Sequence, residues 1–78
     1  MISWNKTSDR LPDRSDYCLC KIVEHTVDGT TINYYDVYIP KFVNEDTLVK
    51  YKWYSEESDC YYDLNLVTYW AYVKSLED

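Results

Sequence analysis

Tyr17-Cys18-Leu19-Cys20-Lys21-Ile22-Val23-Glu24-His25, then Asp28-Gly29, then Thr31-Ile32-Asn33-Tyr34-Tyr35-Asp36-Val37-Tyr38-Ile39 is the stretch that decides the fold. Both runs are rich in β-branched and aromatic residues, and both alternate with period two. In the first, Cys18, Cys20 and Ile22 share one face, and Tyr17, Leu19, Lys21 and Val23 share the other. Two partly apolar faces mark a central strand. Asp28-Gly29 is a hairpin signal, and Gly29 is the only glycine in the chain, the residue that takes positive φ at little cost. In the returning run Ile32, Tyr34 and Tyr38 lie with Asp36, opposite Tyr35, Val37 and Ile39.

Working outward, Pro40 is expected to end regular pairing or to mark an edge. Asn44-Glu45-Asp46 signals a second turn. Residues 47–54 read as a third strand, with Val49, Tyr51 and Trp53 opposite Leu48, Lys50, Lys52 and Tyr54, so one face meets water. Residues 55–65 are acidic and read as a loop. Residues 66–73 read as the last strand, Val67, Tyr69, Ala71 and Val73 alternating with Thr68, Trp70 and Tyr72. The expectation is a mainly β domain, with at most one short helical turn at Thr7-Ser8-Asp9. Its small antiparallel sheet has about four strands and is curled or half-barrel.

The 78 residues make one domain with a marginal core, burying only about 60% of its unfolded surface. Residues 1–16 form an extended N-terminal plug, with Trp4 folding back onto the core. Residues 17–73 form the sheet, and 74–78 a frayed tail. Fourteen acids against eight Lys and Arg give a net charge of −6. That argues against direct contact with nucleic acid or an anionic membrane and is compatible with a basic protein partner. Ten tyrosines offer contact area at low entropy cost. No leader pattern and no membrane-length apolar run is present. Three cysteines, an odd number, fit a reducing cytoplasm.

Trp4, Leu11-Pro12, the strand Cys18-Leu19-Cys20, Trp53-Tyr54 and Val67-Thr68-Tyr69-Trp70 together resemble the domain of unknown function 551 family, small proteins of phages and prophages. The resemblance spans nearly the whole chain. It implies a β fold and a phage or mobile-element setting, and it brings no activity. The family's glycine after Leu-Pro is replaced here by Asp13-Arg14-Ser15-Asp16. Tyr69 stands for its histidine, Ala71 for its methionine, and its closing prolines are absent.

No catalytic constellation is legible. His25 is the one histidine and sits at a strand end, and the carboxylates cluster in turns. Cys18 and Cys20 share a strand face, which lacks the turn that wraps a metal, so neither zinc nor any cofactor is expected. The chain therefore reads as a binding protein, not an enzyme.

The leading expectation is a phage-type accessory protein that inhibits a host defence or nucleic-acid-handling protein stoichiometrically. Glu56, Glu57, Asp59, Tyr61, Tyr62 and Asp63 form the expected contact, the carboxylates standing in for phosphates and the tyrosines anchoring. An alternative places a nucleotide or other small molecule in an aromatic pocket of Trp53, Tyr51, Tyr69, Trp70 and Tyr72. A third has the domain self-associate, as a homodimer, through its β edges.

Overall fold

The Cys18-Leu19-Cys20 run does lie at the centre of a sheet. A computed structural model describes residues 3–74. It has β1 (Asn5–Lys6), β2 (Cys18–His25), β3 (Thr31–Glu45), β4 (Leu48–Ser55), β5 (Cys60–Tyr62), a 3-10 turn (Leu64–Leu66) and β6 (Val67–Tyr72). One antiparallel sheet runs in the order β1-β6-β2-β3-β4-β5. The mainly β, antiparallel expectation holds, with six strands in place of about four, and the sheet is not closed. The two extra strands are short and lie at the sheet's ends. β1 comes from the expected plug, and β5 from the expected acidic loop.

Pro40 marks an edge, as expected, without stopping β3. The strand runs straight through it, because Pro40 sits where β3 changes partner. Residues 31–38 pair with β2, and 39–45 pair with β4. A strand residue points its N–H and C=O to the same side. The Pro40 carbonyl accepts the Ser15 hydroxyl at 2.7 Å, on the β2 side. Its missing N–H faces that way too, so no bond to β4 is lost. The second turn is Asp46-Thr47, one residue later than read, because Glu45 pairs with Leu48. Both turn residues take left-handed φ, 46° and 69°, the geometry a two-residue hairpin demands.

β6 carries a bulge. Lys21 faces Tyr69 but Ile22 faces Val67, leaving Thr68 unpaired in the ladder. Its hydroxyl donates to the Lys21 carbonyl at 3.1 Å. The extra residue breaks the expected alternation and turns both Val67 and Trp70 inward. They join Cys18, Cys20, Ile22, Tyr38 and Trp53 in the core, with Tyr34, Tyr62, Leu64, Leu66 and Tyr72 packed against it. The chain from β5 through the 3-10 turn to β6 thus supplies part of the core's cover.

Trp4 is not the plug. It lies half-buried on the outer face, 6.0 Å from the Tyr35 ring and 4.5 Å from the Lys21 ammonium. Residues 10–13 are tied to the sheet instead, Pro12 buried, by three aromatic side chains. Trp70 Nε1 donates to the Arg10 carbonyl at 2.8 Å, and Tyr51 Oη to the Pro12 carbonyl at 2.7 Å. Tyr72 Oη donates to Asp13 at 2.8 Å and accepts the Asp13 and Arg14 amides. Thr7-Ser8-Asp9 forms a turn rather than a helix, the Asp9 and Arg10 amides both reaching the Lys6 carbonyl. Among the described residues no helix is long and apolar enough to cross a membrane. Ile2 and most of the expected tail, residues 75–78, lie outside the described residues.

Candidate partner-binding surface

β4 ends at Ser55, a buried hydroxyl residue whose Oγ accepts the Ser58 amide at 3.3 Å. That bond tightens the turn 56–59, and Asp59 closes it at a φ of 52°. The turn lifts Glu56 and Glu57 clear of the sheet beside β3. Tyr17, at the head of β2, reaches across β3 and donates its hydroxyl to Glu56 Oε2 at 2.9 Å. Together Tyr17, Asp36, Val37, Ile39, Glu56 and Glu57 line a notch of about 450 Å³. Val37 and Ile39 supply its apolar lining, and Asp36, Glu56 and Glu57 its carboxylates.

The charges around the notch are uncompensated from within. Among the described residues the ion pairs lie elsewhere. Glu45 pairs with Lys50 at 3.1 Å and Lys52 at 3.3 Å, Asp63 with Lys52 at 3.6 Å, and Asp16 with Lys74 at 3.4 Å. Asp36 accepts the Val37 amide at 2.8 Å, and no described cation pairs with it, Glu56 or Glu57. The hydrogen bond from Tyr17 to Glu56, and then the negative charge itself, push the Tyr17 phenol above its ordinary pKa.

The structure divides the six expected contact residues. Glu56 and Glu57 reach the notch. Asp59 turns to Tyr54, whose hydroxyl donates to it at 2.6 Å and whose pKa rises to about 12 as a result. Tyr61 stacks on Tyr54 at 4.9 Å and stays exposed. Tyr62 faces inward onto Tyr38 at 5.3 Å, and Asp63 is taken by Lys52. Tyr17 and Asp36 were missed. Only the β2–β3–β4 register brings them to the turn, and no local spacing reports it.

The alternative aromatic pocket does not assemble. Trp53 and Trp70 are 0% and 1% exposed and belong to the core. Tyr51 and Tyr72 hold the N-terminal segment. Only Tyr69 faces outward, in a cross-strand row with Lys21 and Tyr35 under Trp4; the Lys21 ammonium lies 5.6 Å from the Tyr69 ring. Another depression, about 550 Å³ between β1, Leu11 and the 3-10 turn, is largely apolar and takes Tyr69 alone of the five.

Cys60 lies apart from the other two cysteines. Cys18 and Cys20 are buried, and Cys60 is exposed on β5. Desolvation pushes the Cys18 thiol to about 12 and raises Cys20 further, so neither is a ready thiolate. Among the described residues no group of three or more His, Cys, Asp and Glu side chains is placed to hold a metal ion.

No family model, no curated protein and no solved structure matches this chain. Every role assigned to a residue therefore rests on the geometry above.

Proposed function

We propose that this chain acts by stoichiometric binding to a protein with a basic surface, through the notch of Tyr17, Asp36, Glu56 and Glu57. One observation carries the reading: three carboxylates with no ion-pair partner among the described residues line one notch with Val37 and Ile39, beside an exposed tyrosine. Arg or Lys side chains of a partner answer all three features, the ammonium or guanidinium meeting carboxylate and the stem lying on Val37 and Ile39. The net charge of −6 steers such a partner in and repels nucleic acid.

The family resemblance supplies the setting, a phage or prophage product in a bacterial cytoplasm. A host nucleic-acid-handling or defence protein is the partner class whose basic channel suits acidic occupancy. Binding there blocks the channel by competition, with no chemistry at the notch.

The test is capture from a bacterial lysate at low and at moderate salt, with wild type and with the double reversal Glu56→Lys, Glu57→Lys. A nucleic-acid-handling protein held by wild type, shed as salt rises and never held by the reversal is the expected result. Equal capture by both proteins contradicts it. An empty wild-type bait contradicts the reading for the host tested.

A further inference from the structure

We propose that the partner enters the notch as an extended strand added to the open edge of β3 along residues 31–37; this rests on the acidic-notch reading and specifies its binding mode. The partner change at Pro40 leaves residues 31–38 paired on the β2 side alone. The direction of each backbone group follows from the neighbouring bonds. The Val73 amide donates to the Tyr17 carbonyl, and Thr68 to the Lys21 carbonyl, so odd residues of β2 face β6. Even residues therefore face β3, and their partners Ile32, Tyr34, Asp36 and Tyr38 are the ones bonded back. Thr31, Asn33, Tyr35 and Val37 turn their peptide groups outward. The Val37 amide is met by Asp36 itself at 2.8 Å. Ile39, the next in this series, turns the same way and there finds β4.

This edge differs from the others. β1 and β5 are two and three residues long. The free edges of the β3–β4 arm carry Pro40, Lys41, Lys50 and Lys52 on their strands. Short length, proline and lysine are the usual guards against strand addition. Residues 31–37 have no lysine, arginine, proline or glycine, and Ile32, Tyr35 and Val37 are 43%, 61% and 42% exposed. A strand laid here runs into the notch where β4 ends. Main-chain bonds supply affinity, and the carboxylates select basic side chains at alternate positions. The occupant is thus an extended, lysine- or arginine-bearing segment of the partner. A second copy of this chain would bring −6 against −6.

The experiment is amide hydrogen exchange on the whole protein with a short peptide of alternating lysine and valine. Controls are the glutamate–valine peptide, a lysine–valine peptide interrupted by proline, and the Glu56→Lys, Glu57→Lys protein. The Asn33 and Tyr35 amides are expected to slow on the order of tenfold or more with the lysine–valine peptide alone. Peptide binding that leaves these amides unprotected overturns strand addition while leaving the acidic notch standing. Equal protection by the glutamate peptide, or in the charge-reversed protein, overturns the acidic reading. Protection that appears without peptide and grows with protein concentration means self-pairing and overturns the proposal. Failure of the lysine–valine peptide to bind at all overturns it too.

Discussion

Tyr17 Oη lies 2.9 Å from Glu56 Oε2, joining the head of β2 to the turn after β4 across 39 residues of sequence. The bond orients one rim carboxylate of the notch and lies on the surface, so it contributes little to stability. Tyr17→Phe is expected to change unfolding free energy by less than about 1 kcal/mol. Glu56→Ala removes the hydrogen bond, and with it the negative charge, that raise the Tyr17 phenol, so Tyr17 should titrate nearer its ordinary value. A Tyr17 titration followed by NMR reads this directly.

Asp46 and Thr47 occupy left-handed φ, which suits Asn and Gly far better than a β-branched residue. Asp46→Asn with Thr47→Gly should stabilise the protein by about 1 kcal/mol, seen as a higher urea midpoint with unchanged slope. A fall in the midpoint contradicts the turn geometry.

Trp70 spans two roles, filling the core and donating to the Arg10 carbonyl at 2.8 Å. Trp70→Ala should cost about 3–5 kcal/mol. Trp70→Phe keeps most of the ring volume but loses the donor, at about 1–3 kcal/mol. It should also expose residues 10–13 to proteolysis before the rest of the chain.

Thiol reactivity should separate the cysteines. In the native protein a soluble alkylating agent is expected to label Cys60 alone. Cys18 and Cys20 are buried with raised pKa values and should react only after unfolding. Native labelling of Cys18 or Cys20, located by mass spectrometry, contradicts the core.

Stability should fall at both pH extremes. Asp28 accepts the Thr26 hydroxyl and the Thr30 amide, which lower its pKa from 3.8 to about 2. A carboxylate depressed in the folded state stabilises above its unfolded pKa, and that contribution fades as pH falls from 3.8 toward about 2. Asp13, Asp16 and Glu45 shift in the same direction. Burial raises Tyr51, and the hydrogen bond to Glu24 raises Tyr34, each from 10.0 to about 12. Their neutral forms favour folding, fully so below 10.0, and that contribution is lost as pH rises from 10.0 through about 12. Denaturation midpoints across pH check both arms.

The four longer strands were legible because their alternation is local. Cys18, Cys20 and Ile22 show the buried face of β2 without help from tertiary structure. β1 and β5 were not legible, since two or three residues carry no periodicity and form only because β6 and β4 offer an edge. The bulge at Thr68 hid the inward turn of Val67 with Trp70, because one inserted residue inverts every parity beyond it. Pro40 marks an edge, as its sequence predicts, and lets the strand continue for a physical reason: its lost donor matters only on a side where a strand waits, and β3 has none there. At the site, Glu56 and Glu57 were found from composition. Tyr17 and Asp36 needed the register, and Asp59, Tyr62 and Asp63 proved to have partners of their own.

The most direct measurement is an NMR titration of the whole protein with an arginine-rich peptide, read at every backbone amide. Shifts confined to Tyr17, the β3 edge from Thr31 to Ile39, Glu56 and Glu57, and lost in Glu56→Lys, Glu57→Lys, are expected. Shifts spread evenly over Asp9, Asp13, Asp46 and Asp59 would contradict a built notch and leave only a diffuse negative surface.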